Sequence, residues 1–359
     1  MKANNYLENI AIYKPGKDKV GKRNAVKLSA NENPLGCSEH ISKFYKDHFK
    51  DLSIYCDPSC EKLRTKIAQI NNINSDQIIC SAGSDEAISM LIYSFCKEGD
   101  EILYSKHGFL MYPISAAKIG AKSIKVNEIN FKTDIDDLLK KISKKTRIIF
   151  LANPNNPTGS YLTNEEINKI ISLVPKNILI VFDHAYHEYC RSDDYPQNIL
   201  DIAKKHDNIA VTRTFSKIYG LASLRIGWCF SSNYVIDILN KIRGPFNVSG
   251  PAQIGALAAL DDQEFINRSV NHNNKWLKIY KTELKDNKNF KAYDSVANFI
   301  LIDFFKNEIC DKYNQELLNN AIIARKVCAY GLESCLRITI GKDRDNESVI
   351  DVLNNVKNV

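Results

Sequence analysis

Between residues 77 and 230 short apolar runs alternate with amphipathic stretches, and this alternation limits the possible folds more than any other feature of the chain. The runs at 77–81, 101–104, 123–126, 147–152, 178–183, 208–213 and 226–230 read as strands. Most are separated by helical patterns, such as those at 85–96, 135–142 and 164–173. Strand and helix alternating over some 150 residues predict an α/β domain with a largely parallel sheet. Ligands of such sheets gather at the carboxyl ends of the strands, and Asn156, Asp183 and Lys217 all fall just there.

The last third of the chain has another pattern. Segments 252–260 and 269–284 look helical, and 299–303 and 336–340 look like strands, which suggests a smaller α+β domain. Turn formers crowd GPFNVSGP at 244–251. The expected organisation is an N-terminal arm at 1–28, a large domain at 29–245 and a small domain at 246–359. A chain of 359 residues can bury both cores. The net charge of +7 is spread along it, and its densest basic runs, at 14–22 and 140–145, lack interleaved aromatics. No nucleic-acid partner is therefore expected, while a small anionic substrate suits the sign. No apolar window approaches the length of a signal core or a membrane span. Of the ten cysteines none is spaced CxxC, and Cys80, Cys96 and Cys229 lie in apolar runs as reduced core residues would. A cytoplasmic enzyme with no membrane partner is the expectation. His184 and His187 are three apart, but they follow a strand without further ligands nearby, so no metal is expected.

The chemistry concentrates in TRTFSKIYGLASLRIG, residues 212–227. Thr214 and Ser216 can offer hydroxyls to a phosphate, and Arg225, eight residues after Lys217, can clamp it bidentately. Lys217 is left to bond an aldehyde, as a pyridoxal phosphate enzyme requires; a solvated loop lysine is the plainer alternative. Asp183 ends a buried strand in VFDHAY, where a carboxylate is costly unless paired. A protonated pyridine nitrogen is one suitable partner, and a helix N-cap is the other reading. Gly83, Ser84 and Asp85 in SAGSDEA open a helix whose free N–H groups favour an anion, though Asp85 can also be a plain cap. Two prolines and a glycine in LANPNNPTG make a rigid turn that aims Asn156. Phe109 offers a ring after the next strand or fills the core. Arg337, on the apolar strand of YGLESCLRITIG, needs an anion or a carboxylate; Arg325, twelve residues earlier, is a second candidate or a surface residue.

NENPLG, HGFLMYP, ANPNNPTG, TFSKIYG, LRIGW, GPFNVS and YGL…LRITIG occur in this order and span nearly the whole chain. The sequence resembles the fold-type-I aminotransferases, and among them the histidinol-phosphate aminotransferase family. The resemblance implies a large domain with a mostly parallel seven-stranded sheet flanked by helices, a smaller α+β C-terminal domain and an N-terminal arm. It implies pyridoxal 5′-phosphate on Lys217, with Asn156 and Tyr186 meeting the phenolic oxygen of the ring and Asp183 its nitrogen. The amides of Gly83–Ser84–Asp85 would hold the phosphate and Phe109 would stack on the ring. Tyr55 matches a tyrosine that crosses to the neighbouring subunit's cofactor phosphate, which implies a homodimer. Arg337 would grip the acidic group of the substrate, and Arg325, Asn31, Tyr13 and Asn247 complete the substrate-side candidates. Many relatives read DEAY where this chain has His184. The implied reaction passes an amino group between histidinol phosphate and 2-oxoglutarate, giving imidazole acetol phosphate and glutamate in histidine biosynthesis, with Lys217 carrying the proton. An aromatic amino-acid aminotransferase, or a decarboxylase or aminotransferase of a small phosphorylated amine, would keep every one of these motifs. A sensor domain of a transcription regulator would need a DNA-binding module ahead of the motifs, and the short arm reads as none.

Overall fold

The computed structural model of the chain describes residues 3–8, 10, 25–48 and 53–356. Tyr13 and the basic run at 14–22 lie outside the described residues. Seven strands form the central sheet, in the spatial order Ile78–Ser81, Gly227–Phe230, Ile209–Thr214, Leu179–Asp183, Thr146–Ala152, Glu101–Ser105, Lys122–Val126. Gly227–Phe230 runs antiparallel to both neighbours, and the other four pairings are parallel. Side chains alternate between faces along a strand, and both faces here are covered. Ile149, Leu151, Ile180, Phe182 and Val211 enter one core, while Ile148, Phe150, Leu179, Val181 and Ala210 enter the other. Burial on both sides explains why these strands read as unbroken apolar runs. Helix Asn164–Leu173 starts at a capping box of Thr163 and Glu166 and lays Ile167, Ile170 and Ile171 on the first core. Helix Ser84–Phe95 covers the second core with Ala87, Ile88, Leu91 and Ile92.

A second sheet, antiparallel throughout, runs Lys291–Tyr293, Phe299–Asp303, Leu332–Thr339, Arg325–Val327. Its core holds Trp276, Tyr280, Phe304, Tyr313, Leu336 and Ile338. Val26–Lys27 pairs with Ile322–Ile323, and Leu28 enters this same core, so the chain touches the small domain before it builds the large one.

The passage between the cores comes later than the turn formers at 244–251 suggest. Those residues are the start signal of a helix: Ser249 caps Gly250–Asp261 and Pro251 sits in its first turn. That helix buries Ala252, Ala256, Ala258 and Ala259 in the core beneath the large sheet. The next helix, Gln263–Glu283, packs Ile266 and Val270 beside Tyr186 and Ile218, then sends Trp276 and Tyr280 into the small core. One 21-residue rod therefore runs from the apolar cluster around Tyr186, Ile218 and Phe299 into the small core. No helix among the described residues is long and apolar enough to cross a membrane.

Candidate active site

The carboxyl edge of the large sheet and the small sheet face each other across a cavity of about 310 Å³. Ser84, Asp85, Phe109, Asn156, Asp183, Tyr186, Thr214, Ser216, Lys217, Arg225, Arg325, Arg337 and Asn31 all line it. A larger, more open groove of about 1070 Å³ is lined by none of these residues. The reversed strand explains one placement. Because Gly227–Phe230 runs against its neighbours, its preceding residues, Arg225 included, lie at the edge where the parallel strands end.

At one end of the cavity the Arg225 guanidinium donates to Ser216 Oγ at 3.1 Å and reaches Asp85 at 3.5 Å. Thr214 Oγ1 donates to Ser216 Oγ at 3.0 Å. The three side chains surround the start of helix Ser84–Phe95, where N–H groups have no intrahelical partner. Gly83 precedes it at φ 79°, and a Cβ there would lie 2.4 Å from Arg225 Nη2. Only glycine lets the guanidinium come so close.

Asp183 is buried at the end of its strand. Its Oδ2 accepts from Tyr112 Oη at 2.7 Å and its Oδ1 from Thr212 Oγ1 at 3.1 Å. Burial pushes its carboxyl up to about 6, against the pull of these donors and of the Ala185 N–H. Lys217 Nζ donates to the Ala30 carbonyl at 3.0 Å and stands 5.8 Å from the Tyr186 ring centroid. Burial first, and the nearby Arg337 charge second, hold its amine down at about 8. Burial raises the Tyr186 phenol, whose oxygen accepts from Asn31 Nδ2 at 2.8 Å.

Arg337 is buried, donates to the Ser29 carbonyl at 2.7 Å and to Asn156 Oδ1, and lies over the Phe299 ring. With Asn156 Oδ1 so engaged, its amide donor end is the one left for a ligand. Arg325 stands directly opposite Arg337 on the neighbouring strand.

Three candidates are placed otherwise. Asn31 lines the cavity, and its amide donates to Tyr186 and accepts from Thr339, so it braces the phenol. Asn247 does not line the cavity: its Nδ2 donates to Glu86 at 2.7 Å and to the Cys80 carbonyl at 3.3 Å, behind the phosphate-type cradle. Tyr55 is exposed, stacked on Phe246 at 4.4 Å and outside the cavity of its own chain. His184 and His187 are buried with stacked rings near Tyr195, and burial holds both imidazoles well below their ordinary range. Tyr112 and Thr212 escaped the reading of the sequence, although both carried a signal. Thr212 shares a strand face with Thr214, and Tyr112 follows Phe109 by three residues at the start of helix Met111–Ala117.

A schiff-base-capable lysine with a depressed amine, a buried carboxylate and an anion cradle, all at the carboxyl edge of this seven-stranded sheet, define an aminotransferase of the fold-type-I class. Residues 23–353 match the family described as aminotransferase class I and II. The chain is 41% identical over 352 residues to the histidinol-phosphate aminotransferase of Pelagibacter ubique, covering 97% of each chain. To that of Maricaulis maris it is 37% identical, with 96% of each covered. The solved histidinol-phosphate aminotransferase of Sinorhizobium meliloti, a complex with pyridoxal-5′-phosphate, shares its fold at a TM-score of 0.90 and 23% identity, over 98% of both chains. The chain belongs to the histidinol-phosphate aminotransferase family.

Proposed function

We propose that this chain is a pyridoxal 5′-phosphate-dependent aminotransferase that exchanges an amino group between histidinol phosphate and 2-oxoglutarate, giving imidazole acetol phosphate and glutamate. The residues present fit the cofactor. Asp183 is a buried carboxylate whose hydrogen-bond partners are two hydroxyls and an amide, none of them a cation, and a protonated ring nitrogen would supply the missing charge. The Gly83 approach leaves room for Arg225 at a helix start, a setting that suits a phosphate. When bound, pyridoxal phosphate supplies an aldehyde that bonds amines and a ring that draws off carbanion charge.

The work of the chain's own residues follows from their placement. Ser84, Asp85, Thr214, Ser216 and Arg225 would hold the phosphate, Asp183 the ring-nitrogen proton, and Asn156 and Tyr186 the phenolic oxygen, while Phe109 offers its face. The Lys217 amine, held down at about 8, is partly unprotonated near neutrality. It can therefore attack an aldehyde, and once released it can take and return the proton at the substrate Cα. Arg337 and Arg325 would hold the substrate's anionic group. Tyr55 would serve the site of a second copy of the chain in a homodimer. Ten free cysteines suit the reducing cytoplasm.

The observation that carries the reading is the arginine pair, in register on adjacent strands and in the same cavity as Lys217. Two guanidinium groups side by side on one wall of the cavity can grip a single anion together, each through its planar fork. A phosphate monoester in one half-reaction and a carboxylate in the other both suit such a pair. The test compares kcat/KM for histidinol phosphate, phenylalanine and phosphoserine with wild type, Arg337→Ala and Arg325→Ala. Arg337→Ala should lose roughly ten- to a hundredfold with histidinol phosphate and with 2-oxoglutarate alike. Arg325→Ala should hurt the phosphate substrate more. Unchanged 2-oxoglutarate kinetics in Arg337→Ala would refute the shared clamp, and a wild-type preference for phenylalanine would make the chain an aromatic amino-acid aminotransferase instead. Peptide mapping after borohydride reduction should find the cofactor on Lys217 and nowhere else.

A further inference from the structure

The loop after strand Glu101–Ser105 brings Phe109 to the cavity, and two residues earlier stands His107, buried but outside the cavity lining. His107 is held once through its backbone and once through its ring. Its backbone N–H donates to Glu128 Oε1 at 3.1 Å. Its ring Nδ1 lies 2.7 Å from the carbonyl oxygen of Tyr330. A carbonyl only accepts, so Nδ1 carries the proton. Burial pushes the imidazole pKa down, so the ring is neutral at pH 7 and holds this tautomer. Phe131 closes on the ring edge-to-face at 5.9 Å and meets Tyr293 of the small sheet at 4.7 Å.

The far end of this bond is the informative one. Tyr330 ends the turn Cys328–Tyr330, which joins strands Arg325–Val327 and Leu332–Thr339. Those two strands are the hairpin that carries Arg325 and Arg337, and the Tyr330 side chain lines the same cavity as both. A single buried hydrogen bond, spanning 223 residues of sequence, thus ties the loop of Phe109 in the large domain to the turn of the arginine hairpin in the small one. A rigid hairpin transmits the position of its turn to the side chains along it. We infer that His107 is a positioning residue: it pins the arginine hairpin to the Phe109 loop and so sets how far from the ring site the substrate anion is held. This rests on the proposed role of the two arginines.

Three variants of the full-length, cofactor-loaded enzyme separate this role from plain packing. Leucine fills the space without a donor. Asparagine places an amide N–H near the position of imidazole Nδ1, whereas the glutamine amide reaches toward that of Nε2. His107→Leu should raise KM for histidinol phosphate and for 2-oxoglutarate together by about three- to tenfold, the worth of one buried hydrogen bond. Its kcat should change by less than about twofold, since the interaction is the same in ground and transition states. His107→Asn should bring both KM values back to within about twofold of wild type, and His107→Gln should not. Amide hydrogen exchange over residues 325–337, measured without substrate, should speed up in the Leu and Gln variants and return to the wild-type rate in Asn. Unchanged KM in His107→Leu, or an Asn variant as impaired as Leu, would overturn the positioning role. If the wild-type enzyme ignored histidinol phosphate, the substrate reading would fall while the exchange rates still decided the pin: loosening by Leu and rescue by Asn support it, and unaltered exchange refutes it.

Discussion

Asp183 and Lys217 are each unfavourable to the empty fold, and that cost is what fits them for a ligand. The Lys217 amine falls from 10.5 to about 8 on folding, chiefly through burial. Between those values the unfolded chain holds a proton that the folded chain has given up, so stability rises with pH across that window and the full cost is present below it. Lys217→Met should therefore stabilise the cofactor-free protein at pH 7. The gain is at most about 3 kcal/mol, less what water in the open side of the cavity screens, and it should vanish as pH approaches 10.5. Melting temperatures of both proteins across this range check it; a variant less stable at pH 7 would refute the buried-charge account. Asp183 shifts the other way, from 3.8 to about 6. The folded protein holds its proton longer, so this group's contribution falls as pH rises through that window. Asp183→Asn should leave the empty protein unchanged near pH 4 and stabilise it above 6. In the loaded enzyme the same substitution should cut kcat by about tenfold or more, because an amide cannot hold the ring-nitrogen proton. A kcat within about threefold of wild type would remove Asp183 from that role.

Elements meet at this site through glycine-made close approaches. The turn after Lys217 ends at Gly220, φ 69°, where a Cβ would lie 1.9 Å from the Gly36 carbonyl oxygen. That contact presses the TFSKIYG turn against the NENPLG loop, and Asn33 Nδ2 seals it with a 2.7 Å bond to the Ile218 carbonyl. Gly99, at φ 85°, has nothing within 4 Å of such a Cβ. Gly99→Ala should then cost only the dihedral strain, about 1 kcal/mol, and leave cofactor affinity alone. Gly220→Ala must move backbone, so it should lower the melting temperature further and weaken cofactor binding by about tenfold or more. Equal losses from the two substitutions, read by thermal melts and cofactor titration, would show that only φ matters. The contrast also explains what could be read from sequence. Lys217, Arg225, Thr214 and Ser216 lie within one turn–strand unit, so their spacing alone brings them together. The donors to Asp183, the brace from Asn31 to Tyr186 and the register of Arg325 with Arg337 depend on which strands become neighbours. Tyr112 lies 71 residues from Asp183 in sequence and Asn31 lies 155 from Tyr186, and no local pattern encodes such meetings. The turn formers at 244–251 misled for the opposite reason: a helix start and a domain boundary share the same residues, and only the packing of Ala252 and Ala256 distinguishes them.

At the scale of the molecule, one expected contributor stands apart from the site. Tyr55 is 80% exposed and its neighbour Ile54 is 72% exposed, while Phe246 stacks against the tyrosine ring. Apolar side chains this open, grouped with Phe246, whose neighbour in sequence Asn247 bonds Glu86 of helix Ser84–Phe95, suit an interface between copies. Under the proposed function, Tyr55 would reach the cofactor phosphate of a second copy. The prediction can be tested without a structure of the dimer. Tyr55→Ala protein retains its lysine but lacks the tyrosine; Lys217→Ala protein retains the tyrosine but lacks the lysine. Unfolding the two together and refolding them produces mixed dimers. If the tyrosine crosses, one of the two sites in a mixed dimer combines the lysine of one chain with the tyrosine of the other and is whole. Activity in the mixture should then exceed that of refolded Tyr55→Ala alone at the same concentration of lysine-bearing chains. If each site draws both residues from one chain, every lysine-bearing site still lacks its tyrosine and the mixture gains nothing. The second result would make the active unit self-sufficient and leave the exposed aromatic pair to some other contact.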